Sequence, residues 1–134
     1  MKKTIYTEKG PKPIGPYSQA VEAGNLVFVS GQLGLDPVTM KLKGETAAEQ
    51  AHQALKNIRA ILEAAGLGMK NVVKTTILLK DMNDFPVVNQ AYGEFFEGSD
   101  FPARATYQVV RLPMDALVEI EAVAVSDDVT VNKA

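Results

Sequence analysis

A chain of 134 residues, 46% hydrophobic and without cysteine, reads as one globular domain able to bury a core without staples. The missing cysteine excludes disulfides, thiolate metal sites and a cysteine nucleophile, and fits a reducing, cytoplasmic setting. With a net charge of −2 and scattered lysines and arginines, the chain shows no footprint for nucleic acid or an anionic membrane, and no apolar run approaches bilayer-spanning length.

In chain order, Thr4 to Tyr6 reads as a short edge strand, followed by a stiff, turn-rich connector from Lys9 to Pro16 that ends at Tyr17 and Ser18. Gln19 to Glu22 and Leu26 to Ser30 flank Ala23-Gly24-Asn25, a predicted hairpin whose second strand is apolar on both faces and ends at Gly31-Gln32-Leu33-Gly34. Thr46-Ala47-Ala48-Glu49 has the spacing of a capping box. Ala51, Leu55, Ile58, Leu62 and Ala65 then recur in steps of four and three until Gly66, predicting an amphipathic helix with Gln53, Lys56, Arg59 and Glu63 on its wet side. His52 lies beside that polar side and reads as solvated.

Val72 to Lys80 predicts a strand with Val73, Thr75, Ile77 and Leu79 on one face and a mixed second face. Asp84 is placed to cap a second helix, with Pro86 in its first turn and an apolar stripe of Phe85, Val88, Tyr92, Phe95 and Phe96. Asn89 sits beside that stripe, as either a surface residue or a polar group aimed at a pocket.

Pro102 disfavours helix for its neighbour, and Thr106 to Val110 is β-prone, so Arg104 and Thr106 open a strand with their side chains on one face. Held there, a guanidinium is a fork for a carboxylate or phosphate. After a turn at Arg111 to Ala116, a final strand runs from Leu117 to Val125. Its smooth face is Val118, Ile120, Ala122 and Ala124, whereas Glu119 and Glu121 interrupt the other, as solvated carboxylates or as part of a site. Residues 1–126 form the predicted domain, and 127–134 a loosely held tail.

This order of elements predicts an α+β domain with both helices on one face of a sheet. The opposite face, with Leu78, Leu117 and Val123, would then be wet unless other copies of the chain cover it.

Ile14-Gly15-Pro16-Tyr17-Ser18-Gln19, Ser30-Gly31-Gln32, Val73-Lys74-Thr75-Thr76, Pro102-Ala103-Arg104 and Glu119-Ile120-Glu121 together resemble the RidA (YjgF/YER057c/UK114) family of reactive intermediate deaminases, over nearly the whole chain. The resemblance implies a chorismate-mutase-like mixed sheet, a homotrimer with sites at subunit interfaces, and hydrolysis of 2-iminoacids and enamines, such as 2-iminobutanoate and 2-iminopropanoate, to 2-oxoacids and ammonia. It implies no metal or cofactor. Arg104 matches the arginine that grips the substrate carboxylate, and Glu119 the glutamate beside the reacting carbon. Tyr17, Ser30, Gly31 and Asn89 match pocket positions, and Ile14 and Leu33 are expected to help shape that pocket. Thr106 stands where many members have cysteine, so any role that needs a thiolate is absent while a hydrogen bond from its hydroxyl or backbone survives, and Val110 stands where a small or basic residue is more usual, as a packing change. A small-carboxylate binding or regulatory module without turnover is the alternative. An endoribonuclease or translation inhibitor, activities also attached to the family by name, is a further one, although the chain lacks a basic groove for RNA.

Overall fold

The computed structural model describes residues 1–126, and the predicted tail at 127–134 lies outside the described residues. Eight main elements follow one another: β1 (Lys2–Ile5), β2 (Ala20–Ala23), β3 (Leu26–Leu33), α1 (Ala47–Ala64), β4 (Val72–Leu79), α2 (Phe85–Glu94), β5 (Ala103–Gln108) and β6 (Val118–Val125). The strands form one mixed sheet in the order β1-β2-β3-β6-β4-β5. Only β4 and β5 pair in parallel, joined across α2, and the other neighbours are antiparallel. β6 therefore inserts between β3 and β4, and β5 is left at the edge.

The first helix forms where its capping residues predict. Glu49 N–H donates to Thr46 Oγ1, and Thr46 N–H donates to the Glu49 carboxylate. At the other end Gly66 takes a positive φ of 79°. The Leu67 amide reaches back to the Leu62 carbonyl and that of Gly66 to Glu63, closing the last turn. Leu55, Ile58, Ile61 and Leu62 are fully buried against the sheet, each contributing about 1.5–3 kcal/mol. Both helices share one core with the inward strand residues Val27, Val29, Ile77, Leu79, Val118, Ile120 and Ala122, so both lie on the same sheet face.

Several details depart from the expectations. Gln53 is buried rather than wet, because its amide donates to Asn57, whose own amide donates to the carbonyls of Leu33 and Leu35. The first turn before α2 is capped by Asp81, which accepts from Asn83 N–H, and Asp84 makes no side-chain cap. The register of β4 shifts between Val72 and Lys74, which turns Val73 out of the core to 43% exposure. β5 ends at Gln108, so Val110 falls outside it and is exposed.

Two corrections bear on the site. β3 does not stop at Ser30 but continues to Leu33, through a bulge between Val29 and Gln32 that holds Ser30 and Gly31. The uncovered sheet face is also smaller than expected. Leu78 packs into a second core made by the loops after β3 and β5, with Leu33, Leu35, Leu112 and Ala116, while Leu117 packs against the main core. β3 is covered on one side, since Val27 and Val29 are buried whereas Phe28 is 45% exposed.

Candidate active site

The residues singled out from the sequence fall into two groups on opposite faces of the sheet. Arg104 and Thr106 pair with Thr75 and Ile77 of β4, both buried, so their side chains stand on the helix-bearing face. Glu119 pairs with Leu78 and with Leu33, and its neighbours Val118 and Ile120 point into the core, so its carboxylate stands on the other face. With β4 between β5 and β6 as well, Arg104 and Glu119 do not meet within one chain.

The first group surrounds the guanidinium of Arg104. Its ζ carbon lies 5.0 Å from the ring centroid of Tyr92 and 5.3 Å from that of Phe85, both on α2. Asn89 falls between these two on the same stripe of the helix. Asn89 Oδ1 and Thr106 Oγ1 are buried and lack a hydrogen-bond partner among the described residues. Buried polar atoms of this kind are uncommon away from functional sites, where a ligand or partner can complete them. Beneath them the Tyr92 hydroxyl hydrogen-bonds with Thr75 Oγ1 at 2.6 Å. Burial raises the Tyr92 pKa, opposed by that hydrogen bond and by the charge of Arg104.

The second group lines a cavity of about 320 Å³ formed by Ile14, Tyr17, Ser30, Gly31, Leu33, Pro113 and Glu119. The β3 bulge builds it. Ser30 N–H donates to the Gln19 carbonyl and Ser30 Oγ to the Ser18 carbonyl at 2.6 Å, so this serine ties down the segment that carries Tyr17. The Tyr17 hydroxyl accepts from Ile14 N–H. Gln19 is buried and holds the connector from the other side, accepting from Thr7 N–H and donating to the carbonyls of Thr7 and Pro11. Glu119 is half-buried, and desolvation followed by repulsion from Glu121 raises its pKa above the ordinary carboxylate value.

Tyr92, Phe85 and Thr75 are the site neighbours that sequence patterning missed. The two aromatic residues read as core stripe, and only their seven-residue separation, which puts them on one side of α2, hints at a shared surface. Pro113, within the turn before β6, also lines the cavity. His52 is exposed and edge-on to Phe95, at 5.1 Å between rings, in a separate cleft between α1 and α2 that contains none of these residues.

A mixed six-stranded sheet with two helices on one face defines an α+β class, and comparison with known proteins agrees. The family described as Endoribonuclease L-PSP matches residues 7–126. A RutC family protein of Pyrococcus horikoshii is 52% identical over 92% of this chain and 98% of its own. A 2-iminobutanoate/2-iminopropanoate deaminase of Mus musculus is 54% identical over 93% of this chain and 92% of its own. Among solved structures, E. coli TdcF with bound serine superposes with a TM-score of 0.90 at 41% identity, covering 93% of this chain and 99% of that one. The chain belongs to the Endoribonuclease L-PSP family, the RidA family that its motifs resemble.

Proposed function

We propose that the chain is a cytoplasmic hydrolase of 2-iminoacids and their enamine tautomers, including 2-iminobutanoate and 2-iminopropanoate, releasing the 2-oxoacid and ammonia. The observation that carries this reading is the division of the singled-out residues: an arginine seated over two aromatic rings on one face of the sheet, and an acidic, tyrosine-lined cavity on the other. A neighbouring copy that brings its Glu119 cavity against Arg104 unites the two, and a homotrimer repeats that contact three times. The half-exposed Phe28 and Tyr107, on the sheet face without helices, supply apolar surface for such an assembly. The mammalian relative that carries the deaminase name supports the reaction.

In this mechanism Arg104 of one copy clasps the substrate carboxylate through two N–H donors and fixes the plane of the C=N group. Tyr17 and Gly31 of the next copy bound the pocket, while Asn89 and Thr106 offer polar atoms beside the arginine. Glu119 takes a proton from water as the water oxygen bonds to the imine carbon. It returns that proton to the nitrogen to give the carbinolamine, then relays the hydroxyl proton to the amino group, and the C–N bond breaks with loss of ammonia and formation of the 2-oxo group. A glutamate raised above its usual pKa is the stronger base for this exchange.

The test generates 2-iminobutanoate in situ from threonine with a pyridoxal-phosphate dehydratase. The wild-type protein accelerates imine loss, and Arg104→Lys, which loses the planar fork, slows it by at least about ten-fold. Equal rates with and without protein would contradict turnover. They would favour the second reading, a small-carboxylate binding module, for which the serine bound by the E. coli relative speaks.

A further inference from the structure

Arg104 is exposed on an edge strand, and no carboxylate lies within ion-pair distance of it among the described residues. Its guanidinium nevertheless has a defined seat, over the rings of Tyr92 and Phe85. Residues 85 and 92 are two helical turns apart, so α2 presents both rings on one side. Tyr92 is 4% exposed, and its hydroxyl is held by Thr75, the β4 residue directly across from Arg104 in the β4–β5 register. The ring is thus fastened to the strand next to the one that carries the arginine.

We propose that Tyr92, assisted by Phe85 and oriented by Thr75, is the positioning platform of Arg104. The choice of an aromatic partner has a chemical consequence. An acidic partner would occupy the guanidinium N–H donors and compete with an incoming carboxylate. A ring face attracts the cation through its quadrupole and leaves the donors free. It also restricts a long side chain before the ligand arrives, which lowers the ordering cost of binding. What Arg104 binds rests on the function proposed above, but the platform itself does not.

Two measurements on the full chain test it. In nitrogen-15 spectra, the Arg104 Nε–Hε resonance, assigned by its loss in Arg104→Lys, is displaced by the ring currents. It moves towards the position of exposed arginines in Tyr92→Leu and stays displaced in Tyr92→Phe. Affinity for the product 2-oxobutanoate, read by calorimetry, weakens about ten-fold in Tyr92→Leu and is largely rescued in Tyr92→Phe. In an Arg104→Ala background, which removes the cation from the rings, Tyr92→Leu weakens binding no further. An Arg104 resonance unmoved by Tyr92→Leu, or equal weakening in both backgrounds, would overturn the platform. Should Tyr92→Leu fail to fold, Phe85→Leu, at a half-buried position, moves the resonance the same way by a smaller amount, and no movement there overturns the platform as well. A wild-type protein that binds no 2-oxobutanoate would count against the carboxylate function, while the resonance still decides the platform.

Discussion

Gly31 lies directly beneath the side chain of Glu119: a Cβ added to this glycine would overlap the carboxylate and crowd the Glu119 Cγ at 3.2 Å. The β3 bulge brings the backbone this close, and only a residue without a side chain leaves the carboxylate where it stands.

Gly31→Ala is therefore expected to act on turnover more than on stability. The displaced atoms are mostly the far end of a flexible side chain, so the cost of folding stays within about 1 kcal/mol. The carboxylate moves away from the cavity, and the deaminase rate falls by at least about ten-fold. Paired thermal melts and kinetics check this, and a lower melting temperature with unchanged rate would contradict it.

The pH dependence follows from Glu119. Burial, then the charge of Glu121, holds its pKa above the usual 4.5, so the acid limb of kcat/KM lies above that value. Glu121→Gln removes the repulsion and moves the limb to lower pH. The stability effect has the opposite sense to that of a salt-bridged acid. Because the folded pKa is raised, the contribution of Glu119 is fully present below about pH 4.5 and is lost as pH rises through the folded value. Glu119→Gln is thus expected to stabilise the fold at neutral pH, with the advantage vanishing in acid, as read by denaturation midpoints across pH.

Asn57 joins α1 to the end of the strand that builds the cavity. It is 1% exposed and donates to the Leu33 and Leu35 carbonyls at 3.2 and 2.9 Å. Asn57→Ala leaves those buried carbonyls without a donor, at an expected cost of about 3 kcal/mol in urea unfolding. Substitution of the exposed Lys56 on the same helix is expected to stay within about 0.5 kcal/mol.

Ser30→Ala removes the hydroxyl that holds the Ser18 carbonyl. The expected loss is about 1 kcal/mol of stability, with a rise in KM because Tyr17 is less firmly placed. A fall in kcat alone would indicate direct contact between this hydroxyl and the substrate.

How much of this was legible in the sequence depends on whether the determinant is local. The α1 boundaries follow from Thr46, Glu49 and Gly66, whose capping geometry is complete within a few residues. The side on which Arg104 and Thr106 stand together follows from strand alternation alone. Nothing local tells that β6 inserts between β3 and β4, because strand pairing is decided by contacts far apart in the chain, and so the separation of Arg104 from Glu119 was not readable. The shifts at Val73 and at Ser30–Gly31 escaped for a related reason: a bulge exists only relative to its partner strand. Gln53 falls on the polar side of the helical pattern, and the Leu33 and Leu35 carbonyls that hold its partner Asn57, and with it bury Gln53, lie more than twenty residues from Asn57.

The central claim is that Arg104 of one copy and Glu119 of another complete a single site, and subunit complementation tests it most directly. Arg104→Ala and Glu119→Gln proteins, each inactive alone, are unfolded together in equal amounts and refolded. If the site is shared, random assembly pairs an intact arginine with an intact glutamate at about a quarter of the sites, and about a quarter of the wild-type deaminase rate returns. A mixture that remains as inactive as its two components would contradict the account, because a site made by one chain always carries one of the two lesions.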